Sequence, residues 1–175
     1  MTLATERLLI RPVAVDDWRA IQAIWADESL SPLARYDRPN DLSDDAVRPR
    51  VARWSQLGQG PDHYFFAVCL RDAVIGYVAF NRRGEDAFET GYCFHSAFHG
   101  QGYAREALGA LIGFMRGRGA RVITAGTALE NRPSAALLAA LGFTMTGTER
   151  VSFYKDADGR DIFFDGGLFE LPLAP

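Results

Sequence analysis

The stretch from Glu89 to Met115, ETGYCFHSAFHGQGYAREALGALIGFM, constrains the chain most. It reads as a strand, a short loop carrying Gly100-x-Gly102, and a helix. Ala104, Ala107, Leu108, Leu111, Ile112 and Met115 recur at spacings of three and four, a period that buries one helix face. The first turn of a helix leaves N–H groups without intrahelical partners. Here they fall beside two glycines, whose missing Cβ atoms let an anion approach the backbone. The helix dipole adds about 0.3–1 kcal/mol of attraction per exposed negative charge. The segment is a candidate phosphate seat built mainly from backbone. A dinucleotide fingerprint would need a third glycine where Arg105 stands, and a P-loop would need G-K-[ST]; the chain has neither.

Strands and helices alternate around this segment. Thr5 to Val13 alternates as a first strand, with Leu8 and Ile10 on one face. Asp16 and Asp17 open a helix along Trp18, Ile21 and Trp25. Ser29 to Asn40 reads as a loop, and Ser43-Asp44-Asp45 starts a second helix that contains Pro49. His63–Leu70, Val74–Asn81 and Phe88–Phe94 form an antiparallel meander ending at the glycine loop. After the long helix, Val122–Thr127 must return by a crossover, hence parallel to Phe88–Phe94. Asn131 or Thr127 begins a last helix with Pro133 in its first turn and Gly142 at its end. Thr144–Lys155 and Asp161–Leu171 form a closing hairpin around Asp158-Gly159. The expected fold class is α/β with a mixed sheet, about four helices and one parallel strand pair. The three tryptophans are expected in the core.

At 175 residues, residues 1–175 are expected to form a single domain with a good core. No apolar run reaches the length of a membrane span and no signal-like segment opens the chain, which leads us to expect a cytoplasmic protein without a membrane partner. A net charge of −3 argues against a broad nucleic-acid surface. Cys69 and Cys93 lie inside strands without metal-ligand spacing, so no metal is expected.

The segment GYCFHSAFHGQGYAREAL resembles the acyl-CoA pyrophosphate loop of the GNAT N-acetyltransferase superfamily. The nearest likeness is to the branch of ribosomal-protein alanine/serine N-acetyltransferases. TERLLIRP at the start, ENRPS at 130–134, LGF at 141–143, the Asp-Gly turn at 158–159 and Asp165 follow in that family's order, so the likeness spans nearly the whole chain. It implies a largely antiparallel sheet whose single parallel pair splays apart to take the pantetheine arm of acetyl-CoA. It further implies direct attack of a primary amine on the thioester. The acceptor would be a protein N-terminal Ala or Ser, or a small-molecule amine. A non-catalytic acyl-CoA-binding module and an antibiotic-amine acetyltransferase are the competing readings, and monomer and homodimer both remain open.

Acyl transfer needs a polarised carbonyl, an amine stripped of a proton, and a stabilised thiolate. The resemblance assigns the carbonyl to backbone N–H groups of Phe94, His95 and Ser96. It assigns the pyrophosphate to Gly100, Gln101, Gly102, Tyr103 and Ala104. Asn131 and Arg132 are implied on the pantetheine and phosphates. Glu89 is the candidate base, through water, with His95 and His99 as rivals. Ser134 is the candidate acid, because Leu138 stands where many superfamily members place a tyrosine. The resemblance places Arg35, Tyr36 and Asp37 along the acceptor cleft, with Asp165 and Phe169 on its opposite wall. An α-amine with a pKa near 8 is about a tenth neutral at pH 7, so a carboxylate suffices as its base.

Overall fold

In the computed structural model, residues 1–173 are described. The chain runs β1 (Leu3–Ala4), β2 (Leu9–Pro12), α1 (Trp18–Ser29), α2 (Asp44–Leu57), β3 (His63–Leu70), β4 (Ala73–Arg82) and β5 (Ala87–Phe94). It continues through α3 (Tyr103–Gly117), β6 (Val122–Ala128), α4 (Arg132–Ala140), β7 (Thr144–Lys155) and β8 (Asp161–Pro172). The strands form one eight-stranded sheet in the order β1-β2-β3-β4-β5-β6-β8-β7. Only β5 and β6 are parallel, and the α3 crossover between them requires this. The expected mixed sheet and its meander, parallel pair and closing hairpin are all present.

The two sheet faces carry different helices. α3 lays Ala107, Leu108, Leu111, Ile112 and Met115 onto a core with Phe66, Phe80, Phe88 and Ile123. On the other face Ile21 and Trp25 of α1 and Val47 and Val51 of α2 pack on Ala67 and Cys69. Trp25 is fully buried and donates its Nε1–H to the Tyr77 hydroxyl at 2.8 Å. Trp18 and Trp54 pack half-buried around it, so the tryptophans are core residues as expected.

Two expectations need adjusting, while α2 carries Pro49 inside it as expected. The first strand is shorter than Thr5–Val13, because Thr5 N–H bonds Leu8 O and closes a turn before Leu9. Phe169 is buried in the α3-side core and does not line a cleft.

Candidate active site

Both loop glycines adopt left-handed backbone, φ +71° at Gly100 and +81° at Gly102. An L side chain takes up that conformation only with strain. Gly102 caps α3, and Glu106 N–H bonds Gly102 O. Among the described residues, the N–H groups of Gly100 through Arg105 find no acceptor in the protein. They converge on one end of the loop, as an anion seat requires.

The loop is braced from the N-terminus of the chain. Glu106 Oε1 accepts from the Thr5 hydroxyl and from Arg7 N–H, and Glu106 Oε2 accepts from Arg7 Nε at 2.7 Å. Arg7 Nη1 reaches Gln101 O at 2.9 Å, and its guanidinium covers the Tyr103 ring at 4.5 Å. Burial pushes the Glu106 carboxyl up, but the bonds from Thr5 and Arg7 outweigh it and hold the group below the usual range. Glu106 lies outside the buried stripe of α3. Its partners lie about a hundred positions away, and no local spacing announces them.

Below the loop the sheet opens. β5 and β6 pair only from Ala87↔Val122 to Glu89↔Thr124. His95 N–H donates to Ile75 O of β4. By antiparallel alternation, Cys93 and Gly91 also face β4 with their backbone groups, while Tyr92 and Phe94 turn theirs toward β6. Past Glu89 those groups open onto the gap. Of Phe94, His95 and Ser96, Phe94 turns its N–H toward the gap. His95 N–H is committed to β4, and Ser96 N–H to the Asp27 carboxylate at 2.7 Å. Tyr92 is the neighbour that sequence reading missed.

The Tyr92 side chain crosses the floor of the gap, and its hydroxyl lies 2.8 Å from Ser134 Oγ on α4. Burial pushes the Tyr92 phenol up, while the bond to Ser134 pulls the other way. Tyr92 and Ser134 thus form a protonated hydroxyl pair between the splayed strands. Asn131 caps α4 by accepting from Ser134 N–H at 3.2 Å, which fixes Ser134 at this point. Arg132 is exposed at the start of α4. Leu138 is buried in the core, so the hydroxyl beside the gap comes from β5 instead.

On the opposite face, β5 presents Glu89, Gly91 and Cys93 toward α1 and α2. Glu89 stands at the closed end of the parallel pair, ion-paired with Arg83, whose Nε lies 2.6 Å away. At the open end, the last turn of α1 supplies Asp27 and Glu28. Asp27 grips Ser96 through both N–H and hydroxyl. Burial opposes ionisation of Asp27, but these bonds and the nearby His95 hold its carboxyl below the usual range. Glu28 lies against the Cys93 thiol and the Asp37 carboxyl, and burial followed by the Asp37 charge pushes it up to about 7. The Cys93 thiol is itself pushed well up by burial and by Glu28. A thiol held protonated is no nucleophile at neutral pH. His99 hydrogen-bonds Phe94 O through Nε2 at 2.7 Å, which gives it a local structural partner.

The acceptor-side residues gather around Phe164 of β8. Arg35 and Tyr36 lie in a 3-10 turn after α1, where Tyr36 meets Phe164 of β8 edge-on at 5.4 Å. Asp165, next along the strand, joins Glu130, Arg150, Phe163 and the same Phe164 around a small groove.

This arrangement agrees with the comparisons. An acetyltransferase (GNAT) domain profile matches residues 7–144. The uncharacterised N-acetyltransferase YnaD of Bacillus subtilis is 30% identical over 169 residues, covering 94% of this chain and 95% of that protein. Among solved structures, the ribosomal-protein-S5-alanine acetyltransferase of Vibrio fischeri superposes with a TM-score of 0.81 at 22% identity, over 98% of this chain and 96% of that one. The Salmonella typhimurium acetyltransferase that modifies the N-terminal serine of ribosomal protein L7/L12 gives 0.83 at 20% identity, over 97% of each chain. With the family profile spanning most of its length, this chain belongs to the GNAT family of N-acetyltransferases, acyltransferases that draw their acetyl group from acetyl-CoA.

Proposed function

We propose that the protein moves the acetyl group of acetyl-CoA to the α-amine of a peptide beginning with Ala or Ser, or to a small primary amine of similar basicity. The observation that carries this reading is the join between the anion loop and the open strand edge. The unpaired N–H groups from Gly100 to Arg105 follow in the chain from the end of β5, where the Tyr92 and Phe94 amides open onto the gap. A ligand with a diphosphate at one end and an amide-bearing arm ending in a thioester fits both at once. A solved L7/L12 acetyltransferase of this fold carries coenzyme A, which supports the same reading here.

In this proposal Gly100, Gln101, Gly102, Tyr103 and Ala104 hold the pyrophosphate, with Arg132 and Asn131 flanking the arm. The thioester carbonyl accepts from the backbone beside Phe94. The amine attacks that carbonyl directly, because the Cys93 thiol stays protonated. The C–N bond forms, the C–S bond breaks, and the thiolate takes a proton from the Tyr92–Ser134 hydroxyl pair. Glu89 and the acids of α1 are the carboxylates on the face from which the amine arrives. Arg35 and Tyr36 border that face, and Asp165 of β8 lines the groove that shares Phe164 with Tyr36.

Acetyl-CoA-dependent thiol release tests this reading. The panel holds short Ala- and Ser-initiated peptides, free amino acids, polyamines and aminoglycosides. Turnover highest on the Ala or Ser peptides is expected. Bound acetyl-CoA without thiol release on any amine would identify a binding module instead, and a signal on aminoglycosides alone would replace the peptide acceptor.

A further inference from the structure

The last turn of α1 contains Asp27 and Glu28 and no basic residue. Carboxylates there face the negative end of the helix dipole, which disfavours them. Asp27 offsets this by holding Ser96. Glu28 has no comparable partner: it is half-buried between the Asp37 carboxyl and the Cys93 thiol. A carboxyl placed where both dipole and burial oppose its charge calls for a functional reason.

The strand register says what it faces. Cys93 lies between Tyr92 and Phe94, whose amides open onto the gap, and its side chain projects to the α1 face opposite Tyr77. A thioester carbonyl held at those amides would thus lie one residue from Cys93, whose thiol meets the Glu28 carboxyl. Glu89 is four residues back along β5, about 13 Å at ~3.3 Å per residue, and is tied to Arg83. The clamp of Asp27 on Ser96 fixes the end of α1 to the end of β5, and so fixes Glu28 relative to the reacting carbonyl.

We propose that Glu28 is the catalytic base, taking the proton from the acceptor amine at the acetyl-transfer centre. This rests on the acetyltransferase reading above and moves the role expected of Glu89 to the other end of the strand. The Glu28 carboxylate removes one proton from the ammonium, and the freed nitrogen lone pair forms the C–N bond. The C–S pair leaves on sulfur and takes a proton from the hydroxyl pair; the second nitrogen proton passes through solvent to restore that pair, and Glu28 returns the first proton to solvent. Burial, followed by the negative charge of Asp37, keeps Glu28 basic enough for an amine with a pKa near 8. The charged and titratable groups around Glu28 are Asp27 on its own helix, Asp37 in the following loop and Cys93 on β5. Tyr77 on β4 and Arg50 of α2, stacked over Trp25 at 4.4 Å, complete the surround.

The test compares wild type, Glu28→Gln, Glu28→Asp and Glu89→Gln on the best amine of the panel, with acetyl-CoA affinity and thermal midpoint measured for each. Glu28→Gln should lose about 100-fold or more in kcat/KM while binding acetyl-CoA as wild type does. The acidic limb of the pH profile near 7 should vanish in Glu28→Gln and persist, shifted, in Glu28→Asp. Glu89→Gln should lose less than Glu28→Gln. An active wild type with Glu28→Gln equally active, or with the larger loss in Glu89→Gln, overturns the assignment while leaving the transferase intact. A wild type that binds acetyl-CoA but acetylates nothing overturns the transferase reading, and this assignment with it.

Discussion

At the scale of single residues, Glu28 carries a cost that can be measured without any substrate. Its folded carboxyl keeps a proton to about 7, against an ordinary 4.5. Between those values the native state binds more protons than the unfolded chain, so this group lowers stability as pH rises, and the full penalty is present above 7. Glu28→Gln removes it. The variant should exceed wild type by about 1 kcal/mol at pH 8, after allowance for solvent screening, and by nothing at pH 4. Urea unfolding at both pH values checks this, and an equal difference at both would mean that Glu28 has no raised pKa. Gly102 is the second such residue. Its φ of +81° and an Arg7 Nη2 only 3.3 Å from where a Cβ would stand make Gly102→Ala strained by about 1–2 kcal/mol. The same methyl would crowd the anion seat, so acetyl-CoA affinity should fall at least tenfold by calorimetry. The two residues differ in legibility. Gly102 announces itself through its neighbours in sequence, whereas Glu28 looks like any solvated glutamate near a helix end until α1 docks against β5.

At the scale of elements, the helices and strands that local pattern specifies were legible, and the contacts between them were not. The apolar stripe of α3, the Asn131 cap with Pro133 behind it, and the Asp158-Gly159 hairpin all follow from residues a few positions apart. The turn at Thr5–Leu8 does not, because it serves Glu106 of α3. That alternating segment reads as continuous strand, yet Thr5 and Arg7 bend away to hold the loop. The same distance effect hid Tyr92 as the partner of Ser134: a tyrosine in an apolar strand reads as core until α4 is in place. Two predictions belong here. Glu106→Ala leaves the Thr5 hydroxyl and the Arg7 amide and guanidinium without their acceptor, at about 1–3 kcal/mol. The loop they brace should then bind coenzyme A more weakly, and denaturant unfolding together with calorimetry reads both effects. Asn131→Ala removes the α4 cap and should cost about 1 kcal/mol. It should also slow thiol release by loosening Ser134, and full retention of rate would separate Ser134 from the chemistry.

At the scale of the whole molecule, the sheet is nearly two sheets. β1 to β5 form one part and β6, β8 and β7 the other, and their only ladder runs from Ala87↔Val122 to Glu89↔Thr124. The α3 side of the core and the Tyr92–Ser134 contact carry the rest of the join. A ligand arm lying in the gap would act as a substitute strand, taking up backbone groups that neither part can pair. Binding should therefore do more than add affinity at the loop. At a hundred times its dissociation constant, acetyl-CoA should stabilise the fold by about 2.7 kcal/mol, a rise of roughly 5–10 °C in thermal midpoint for a chain of this size. Hydrogen exchange locates that gain. The Tyr92 and Phe94 amides should exchange quickly in the free protein and slow when coenzyme A binds, together with the amides from Gly100 to Arg105. Those of Gly91 and Cys93, already turned toward β4, should change little. A protected loop with Tyr92 and Phe94 still exchanging freely would mean that the phosphates bind while the arm lies outside the gap. The carbonyl would then sit away from Cys93, and Glu28 would lose its reason to be the base.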